Sequence, residues 1–324
     1  MVVAEMVSSQ SYQGVRPYLF TVAYRMTGSA SDAEDLVQDA WIRYLSAGAP
    51  PVDSLRAYLT TIVSRLALDY LKSARVQRES YIGSWLPEPV PTEQALPGPD
   101  ATVEQREEIS LALLTLLEQL TPEQRVVYVL REAFDFSHEE IARHIGKSPA
   151  ACRQIYSRAR RQIERVRRPA IAPLPEHQRV VEGFVEALET GNAPAMARLL
   201  AEDVAWIGDG GGKRLSSQRP VHGRDRVARG LIGFRLKAAE YPVTHQRIEL
   251  NGAPSLVTCI GNLIDRVVVL DVRDGRITAV RSISNPDKLH GLARRLGMEI
   301  MRDPPGLTTR AQRAAPGSQH ATPQ

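Results

Sequence analysis

Arg153, Gln154, Ser157, Arg158, Arg160 and Arg161 crowd onto one short helical pattern. The chemistry they offer is nucleic-acid recognition rather than catalysis. Arg can pair with a guanine edge and Gln with an adenine edge. Further guanidiniums meet phosphates, which adds affinity without sequence choice. Within the pattern Cys152, Ile155, Ala159 and Ile163 repeat at spacings of three, four and four, so one face turns inward and the basic face outward. A recognition helix presents its N-terminal residues to base edges. Arg153 and Gln154 are therefore the candidates for base contacts, and Arg158, Arg160 and Arg161 for phosphate contacts. From Lys147 to Arg168 eight basic residues face one acid, a local charge of +7, whereas the whole chain carries only +4.

Two more constellations lie upstream. Arg65, Tyr70, Lys72, Arg75 and Arg78, with Arg56 and Tyr58 before them, mix cations with rings. Single-stranded DNA takes that mix, because bases stack on rings while phosphates meet cations. Asp32, Glu34, Asp35 and Asp39 stand beside Leu36, Val37 and Gln38, an acidic and apolar surface suited to a basic protein partner. Catalytic chemistry finds no comparable support. Asp209, His222, Asp225, Tyr241, His245 and Asp265 show no diagnostic spacing. Asp209-Gly210-Gly211-Gly212-Lys213 lacks the frame of a phosphate-binding loop. Its three glycines imply a tight or flexible loop that another segment can approach. No cofactor or metal is expected. Cys152 and Cys259 lack partner spacing, which fits two buried thiols in a reducing cytoplasm.

The elements that position these groups follow from periodicity and punctuation. Residues 11–80 read as three helices, with Gly28 ending the first and Gly48-Ala49-Pro50-Pro51 the second. Ser31 with Glu34 reads as a capping box for the second helix. Residues 81–103 carry Pro87, Pro89, Pro91, Pro97 and Pro99, a semi-extended linker. Trp85 and Leu86 within it imply docking. Residues 104–168 form a second helical module: a helix over 104–119, a restart at Thr121-Pro122, a capping box at Ser137–Glu140, a stop at Gly146 and a new start at Ser148-Pro149. A further proline-rich hinge spans 169–175. Beyond it, helices at 176–190 and 193–201 precede strand-like runs, with Asp274-Gly275 as a hairpin turn. That order implies an α+β module over 176–290. Residues 303–324 have the composition of a disordered tail. The N-terminus has no secretory signal, and no apolar run is long enough to span a bilayer.

The helical segments resemble a known family. Residues 27–45 resemble the region 2 helix of extracytoplasmic-function (ECF) sigma factors that binds core RNA polymerase. Residues 54–79 resemble the next helix, which melts and reads the −10 promoter element. Residues 120–163 resemble region 4, which reads the −35 element. The resemblance implies two all-α sigma modules followed by an α+β NTF2-like cone. It implies core-polymerase contacts at Asp32, Glu34, Asp35, Val37 and Gln38. It implies −10 contacts at Arg65, Tyr70, Lys72, Arg75 and Arg78, although many members carry Asn where Arg65 stands. Trp85-Leu86-Pro87-Glu88-Pro89, the Asp209–Lys213 stretch and Asn285-Pro286-Asp287-Lys288 are similar to those of the sigma-J-like group, which carries a fused SnoaL-like domain. That resemblance implies that the fused domain regulates the sigma modules through Trp85, Leu86, Pro87, Asp209, Gly210, Gly211, Asn285, Pro286, Asp287 and Lys288. The expected partners are core RNA polymerase and promoter DNA, with no membrane, and an unidentified small ligand could occupy the cone. Two other readings are a ligand-responsive helix-turn-helix regulator and a cone-fold isomerase- or cyclase-like enzyme with a DNA-binding appendage. The 27–79 module, which neither requires, separates them from a sigma factor.

Overall fold

A computed structural model describes residues 2–96, 102–165, 174–237 and 240–301. Pro97, Pro99, Arg167, Arg168, most of the 169–175 hinge and the tail from 302 lie outside the described residues, as do the side chains of Arg75 and Arg78. The described chain forms two compact units. The first comprises residues 1–79, 87–173 and 249–253; the second comprises 80–86, 174–248 and 254–324.

In the first unit, α1 (Val2–Thr27), α2 (Ala30–Ser46) and α3 (Leu55–Glu79) are the three expected helices. Gly28 ends α1 in the left-handed conformation, at φ 69°. The N-cap of α2 is Ser29, whose side chain accepts from the Asp32 amide, so the expected cap at Ser31 is displaced by two residues. A second acceptor explains the shift. Buried Glu88 takes the amides of Ala30 and Ser31 and both the Ser29 and Ser31 hydroxyls. A carboxylate at a helix start satisfies orphan donors and meets the positive dipole end, and here it comes from far along the chain.

The expected helix over 104–119 is broken in two: α5 (Val103–Glu108) and α6 (Leu111–Leu117), with Ser110 capping the second. Between α3 and α5 the proline-rich segment holds a single helical turn, α4 (Thr92–Ala95). Then follow α7 (Pro122–Glu132), α8 (His138–Ile145) and α9 (Pro149–Arg165). Thr121 and Ser137 complete capping boxes with Gln124 and Glu140, and Gly146 closes α8 at φ 69°. The two helical modules share one apolar core. Tyr24, Leu59 and Val63 from the first and Ile109, Leu114, Val126 and Leu130 from the second belong to one cluster and are fully buried.

The second unit opens with α10 (Leu174–Glu189) and α11 (Ala193–Leu199). A sheet follows: β1 (Leu200–Asp209), β2 (Val221–His222), β3 (Val243–Leu250), β4 (Ala253–Ile260), β5 (Leu263–Arg273) and β6 (Arg276–Ile283), with α12 (Arg224–Lys237) between β2 and β3. Their order is β2-β1-β6-β5-β4-β3. β1 runs parallel to β6 while β4, β5 and β6 pair antiparallel. A single 3-10 turn (Pro286–Lys288), α13 (His290–Leu296) and the short β7 (Glu299–Ile300), paired with β5, complete the unit. The long apolar run from Ser255 to Arg273 is two strands, because Gly261 turns the chain at φ 60°. Asp274 and Gly275 both take positive φ, the two-residue hairpin turn expected there. Asn251 and Gly252 repeat that geometry between β3 and β4.

Candidate nucleic-acid interface and buried linker cluster

α9 turns Cys152, Ala159 and Ile163 into the core and leaves Ile155 half-buried. Arg153, Gln154, Ser157, Arg158, Arg160 and Arg161 are all exposed on its other face. Arg153 is braced by Glu139 at 3.3 Å and Arg160 by Glu164 at 2.7 Å. Exposed pairs of this kind contribute under about 1 kcal/mol, so phosphate can displace them. The face is thus an ordered set of donors with no buried obligation.

The upstream constellations divide differently. On α2, Glu34, Asp35, Gln38 and Asp39 are exposed. Val37 is only 1 % exposed, so it belongs to the core and not to the expected docking surface. The exposed apolar side chains of α2 are instead Ile42 and Leu45, 50 % and 44 % exposed one and two turns further on. Asp32 is half-buried and accepts the Tyr70 hydroxyl at 2.6 Å, which ties α2 to α3. Tyr70 therefore has a structural bond as well as a ring. Lys72 is exposed, 3.7 Å from Asp69.

Arg65 was expected to face DNA. Its Nε donates to the His144 carbonyl at 2.9 Å and its Nη2 to the Arg143 carbonyl at 3.1 Å. It therefore caps the C-terminus of α8, where carbonyls lack helical partners and a cation meets the negative dipole end. Nothing in local sequence signalled that bond, because its acceptors lie on a helix nearly eighty residues away. Tyr58 packs partly into the core against Tyr44. Arg56 stacks over the Tyr18 ring at 3.5 Å.

In the second unit the Asp209 carboxylate is fully buried and every acceptor site is used. Oδ1 accepts the Tyr81 hydroxyl at 2.5 Å and the Gly211 amide at 3.1 Å. Oδ2 accepts the Leu86 amide at 2.8 Å and Lys288 Nζ at 2.6 Å. Lys288 also donates to the Leu86 carbonyl at 2.5 Å and stands 4.1 Å over the Trp85 ring. Asn285 donates to the Tyr81 hydroxyl at 2.9 Å, and Lys213 pairs with Asp287 at 2.6 Å. The turn opened by Pro286 carries Asp287 and Lys288 into place. The glycines have a steric cause. Gly211 has φ +58° and lies where any side chain would strike Asn285; at Gly210 a side chain would strike the Arg214 backbone. The structure thus gathers nearly all the residues singled out in the linker and the two later stretches. Pro87 falls in the first unit. Tyr81 was missed by sequence reasoning, although it is the hub. Burial, reinforced by Asp209, raises its hydroxyl above the ordinary tyrosine value.

Of the dispersed acid–base candidates, His245 and Asp265 line one pocket of the second unit. Asp265 pairs with Arg214 through Oδ1 and with Arg266 through Oδ2. His245 Nδ1 faces the Thr258 hydroxyl at 3.1 Å, with no carboxylate among its bonds. Among the described residues no group of His, Cys, Asp and Glu could hold a metal ion.

The profile of Sigma-70 region 2 matches residues 12–76, and that of Sigma-70, region 4 matches residues 110–163. The ECF RNA polymerase sigma factor SigJ of Mycobacterium tuberculosis is 38 % identical over 299 residues, covering 86 % of this chain and 92 % of that protein. The chain belongs to the ECF RNA polymerase sigma factors. A probable ECF sigma factor, SigI, of the same organism is 32 % identical over 291 residues, covering 89 % of this sigma factor and 97 % of its relative. The crystal structure of M. tuberculosis SigJ superposes with a TM-score of 0.70 at 34 % identity, over 88 % of this chain and 98 % of that one. As a sigma factor the protein acts with core RNA polymerase and promoter DNA and is not an enzyme. No helix among the described residues is long and apolar enough to cross a membrane.

Proposed function

We propose that this sigma factor works in the cytoplasm, reads the −35 element through α9 and the −10 element through α3, and is held inactive by its own C-terminal domain. Residues 11–80 and 104–168 are the two promoter-reading modules and 176–290 the regulatory cone. In α9, Arg153 and Gln154 choose bases, while Ser157, Arg158, Arg160 and Arg161 hold the backbone. Glu34, Asp35 and Gln38, with exposed Ile42 and Leu45, dock on core polymerase.

The bond from Arg65 to the end of α8 carries the inhibitory part of this reading. It joins the helix assigned to −10 to the helix-turn-helix assigned to −35. Those elements lie about 25 base pairs apart, roughly 85 Å at 3.4 Å per base pair. Both cannot be engaged while α3 and α8 stay joined. The buried Asp209–Lys288 pair, which anchors linker residues 81–86, is the device by which the C-terminal domain sets that state. Asn251 of the β3–β4 turn supports it from within the first unit, because it donates to the Tyr24 hydroxyl and the Ile109 carbonyl and is fully buried. A small ligand in the cone would give the device an input.

In vitro transcription with purified core polymerase tests the reading. Promoter-specific initiation should depend on the chain. Deletion of residues 170–324, and separately of the segment after Asp287, should change its output. Unchanged transcription from both truncated chains refutes regulation in cis while leaving the sigma-factor assignment intact.

A further inference from the structure

Two guanidiniums lie buried where the two helical modules of the first unit meet. Arg125 stands in the first turn of α7 and is 2 % exposed. Its Nη1 donates to Glu118, just beyond α6. Its Nε and Nη2 are buried and have no hydrogen-bond partner among the described residues. Both α1 and α3 pack on α7, and Tyr24 and Tyr70 from those helices lie close enough to act on its charge. Their hydroxyls already donate elsewhere, Tyr24 to the Glu88 carbonyl at 2.7 Å and Tyr70 to Asp32. Burial pushes the Arg125 guanidinium down to about 9, and the two tyrosines only partly oppose it.

Arg25 of α1 is the counterpart from the other module. It is 4 % exposed, its Nη1 donates to Glu108 of α5 at 2.6 Å, and its Nε has no partner among the described residues. Burial pushes Arg25 down and Glu108 up. A buried N–H without an acceptor loses its water and gains nothing in return. Replacing a buried ion pair with apolar side chains is therefore often neutral or stabilising. Arg125 carries a further penalty, because a cation in the first turn of a helix meets the positive end of the dipole. Interfaces that stay closed for good are the more apolar ones. A seam holding two such cations has the opposite character.

We infer that Arg125 is a release element: its under-bonded burial weakens the seam between the helical modules, so that α7 leaves α1 and α3 readily. Parting returns water to the guanidinium, since α1 and α3 are what covers it. Glu118 sets the limit by holding enough opposite charge beside Arg125 for the joined state to form at all. The consequence for transcription rests on the proposed inactivity of the joined state; the weakening of the seam does not.

Hydrogen exchange of the full chain, followed at the amides of α3 and α7, tests the inference, because exchange reports local opening. Arg125→Met combined with Glu118→Gln removes the buried cation and its partner charge. Exchange there should slow at least about fivefold, and the melting temperature should rise by about 2–4 °C. Glu118→Gln alone leaves the cation uncompensated, so exchange should quicken at least about fivefold and melting should come earlier. Promoter-directed transcription should fall in the paired variant and rise in Glu118→Gln. Exchange unchanged or faster in the paired variant, or a paired variant that does not fold, overturns the inference. If Glu118→Gln alone does not fold, the paired variant still decides. Exchange that shifts as expected while transcription stays constant upholds the role of Arg125 and refutes the inactivity of the joined state.

Discussion

At the scale of single residues, charges with the same sign do different work according to burial. Arg153 and Arg160 are exposed and loosely braced, so their removal leaves the fold intact. Arg153→Ala should relax preference at one position of the −35 element and cost about 1–3 kcal/mol there, whereas Arg160→Ala should weaken all sequences alike and lower the salt slope by about one. Promoter competition across a salt series reads both. Lys288 and Asp209 are the opposite case. Breaking a buried pair leaves an uncompensated charge and costs roughly 3–5 kcal/mol. Asp209→Asn should therefore lower thermal stability sharply, and Asp209→Leu with Lys288→Met should recover much of the loss. A melting temperature unchanged by Asp209→Asn would contradict the bonding described here.

At the scale of elements, the end of α8 is the sensitive point. Arg65→Ala removes two donors from its carbonyls and should raise transcription from the full-length chain, with unaltered helical content by circular dichroism. Equal or lower output would argue that the contact is structural only. His144 sits at the same end, buried against Phe136. Burial pushes its imidazole down to about 4, helped by Arg143 and Arg65 and opposed by Glu140. The unfolded chain takes up this proton near pH 6.5, the folded chain only near 4. Between those values the unfolded state binds more protons, so stability falls as pH falls, by about 3 kcal/mol over the full window. Denaturant titrations at about pH 7 and pH 5 should show the loss, and His144→Leu should show less of it.

At the scale of the whole molecule, the promoter-reading roles proposed for α3 and α9 require a change of state. Under those roles a promoter spacing of roughly 85 Å cannot be met while Arg65 holds α8. Fluorescent labels at Ser46 in α2 and Arg165 at the end of α9 should therefore separate when core polymerase is added. Energy transfer that stays constant through promoter binding would refute opening. The change must overcome a shared apolar core, whose burial is the main favourable contribution to any fold of this size. In the proposed opening, polymerase and DNA contacts supply the opposing free energy.

The sequence by itself determined whatever depends on neighbours along the chain. Helical periodicity placed α1 to α3 and α7 to α9, a capping box fixed Ser137, a glycine stop fixed Gly146, and Asp274-Gly275 dictated its turn. The basic face of α9 was legible because helix geometry alone puts Arg153, Gln154 and Arg161 opposite Cys152 and Ala159. Tertiary structure decided what depends on partners distant in sequence. Ser29 caps α2 in place of Ser31 because Glu88 arrives from the linker. Arg65 bonds the Arg143 and His144 carbonyls because α8 lies against α3. Val37 is core while Ile42 and Leu45 are exposed, because only packing tells one apolar side of α2 from the other. Tyr81 gains its importance only where Asp209 and Asn285 meet it. Local rules specify the elements and the outward face, since each residue there interacts within a turn or two. Buried charge and burial itself are collective, and no stretch of chain carries them alone.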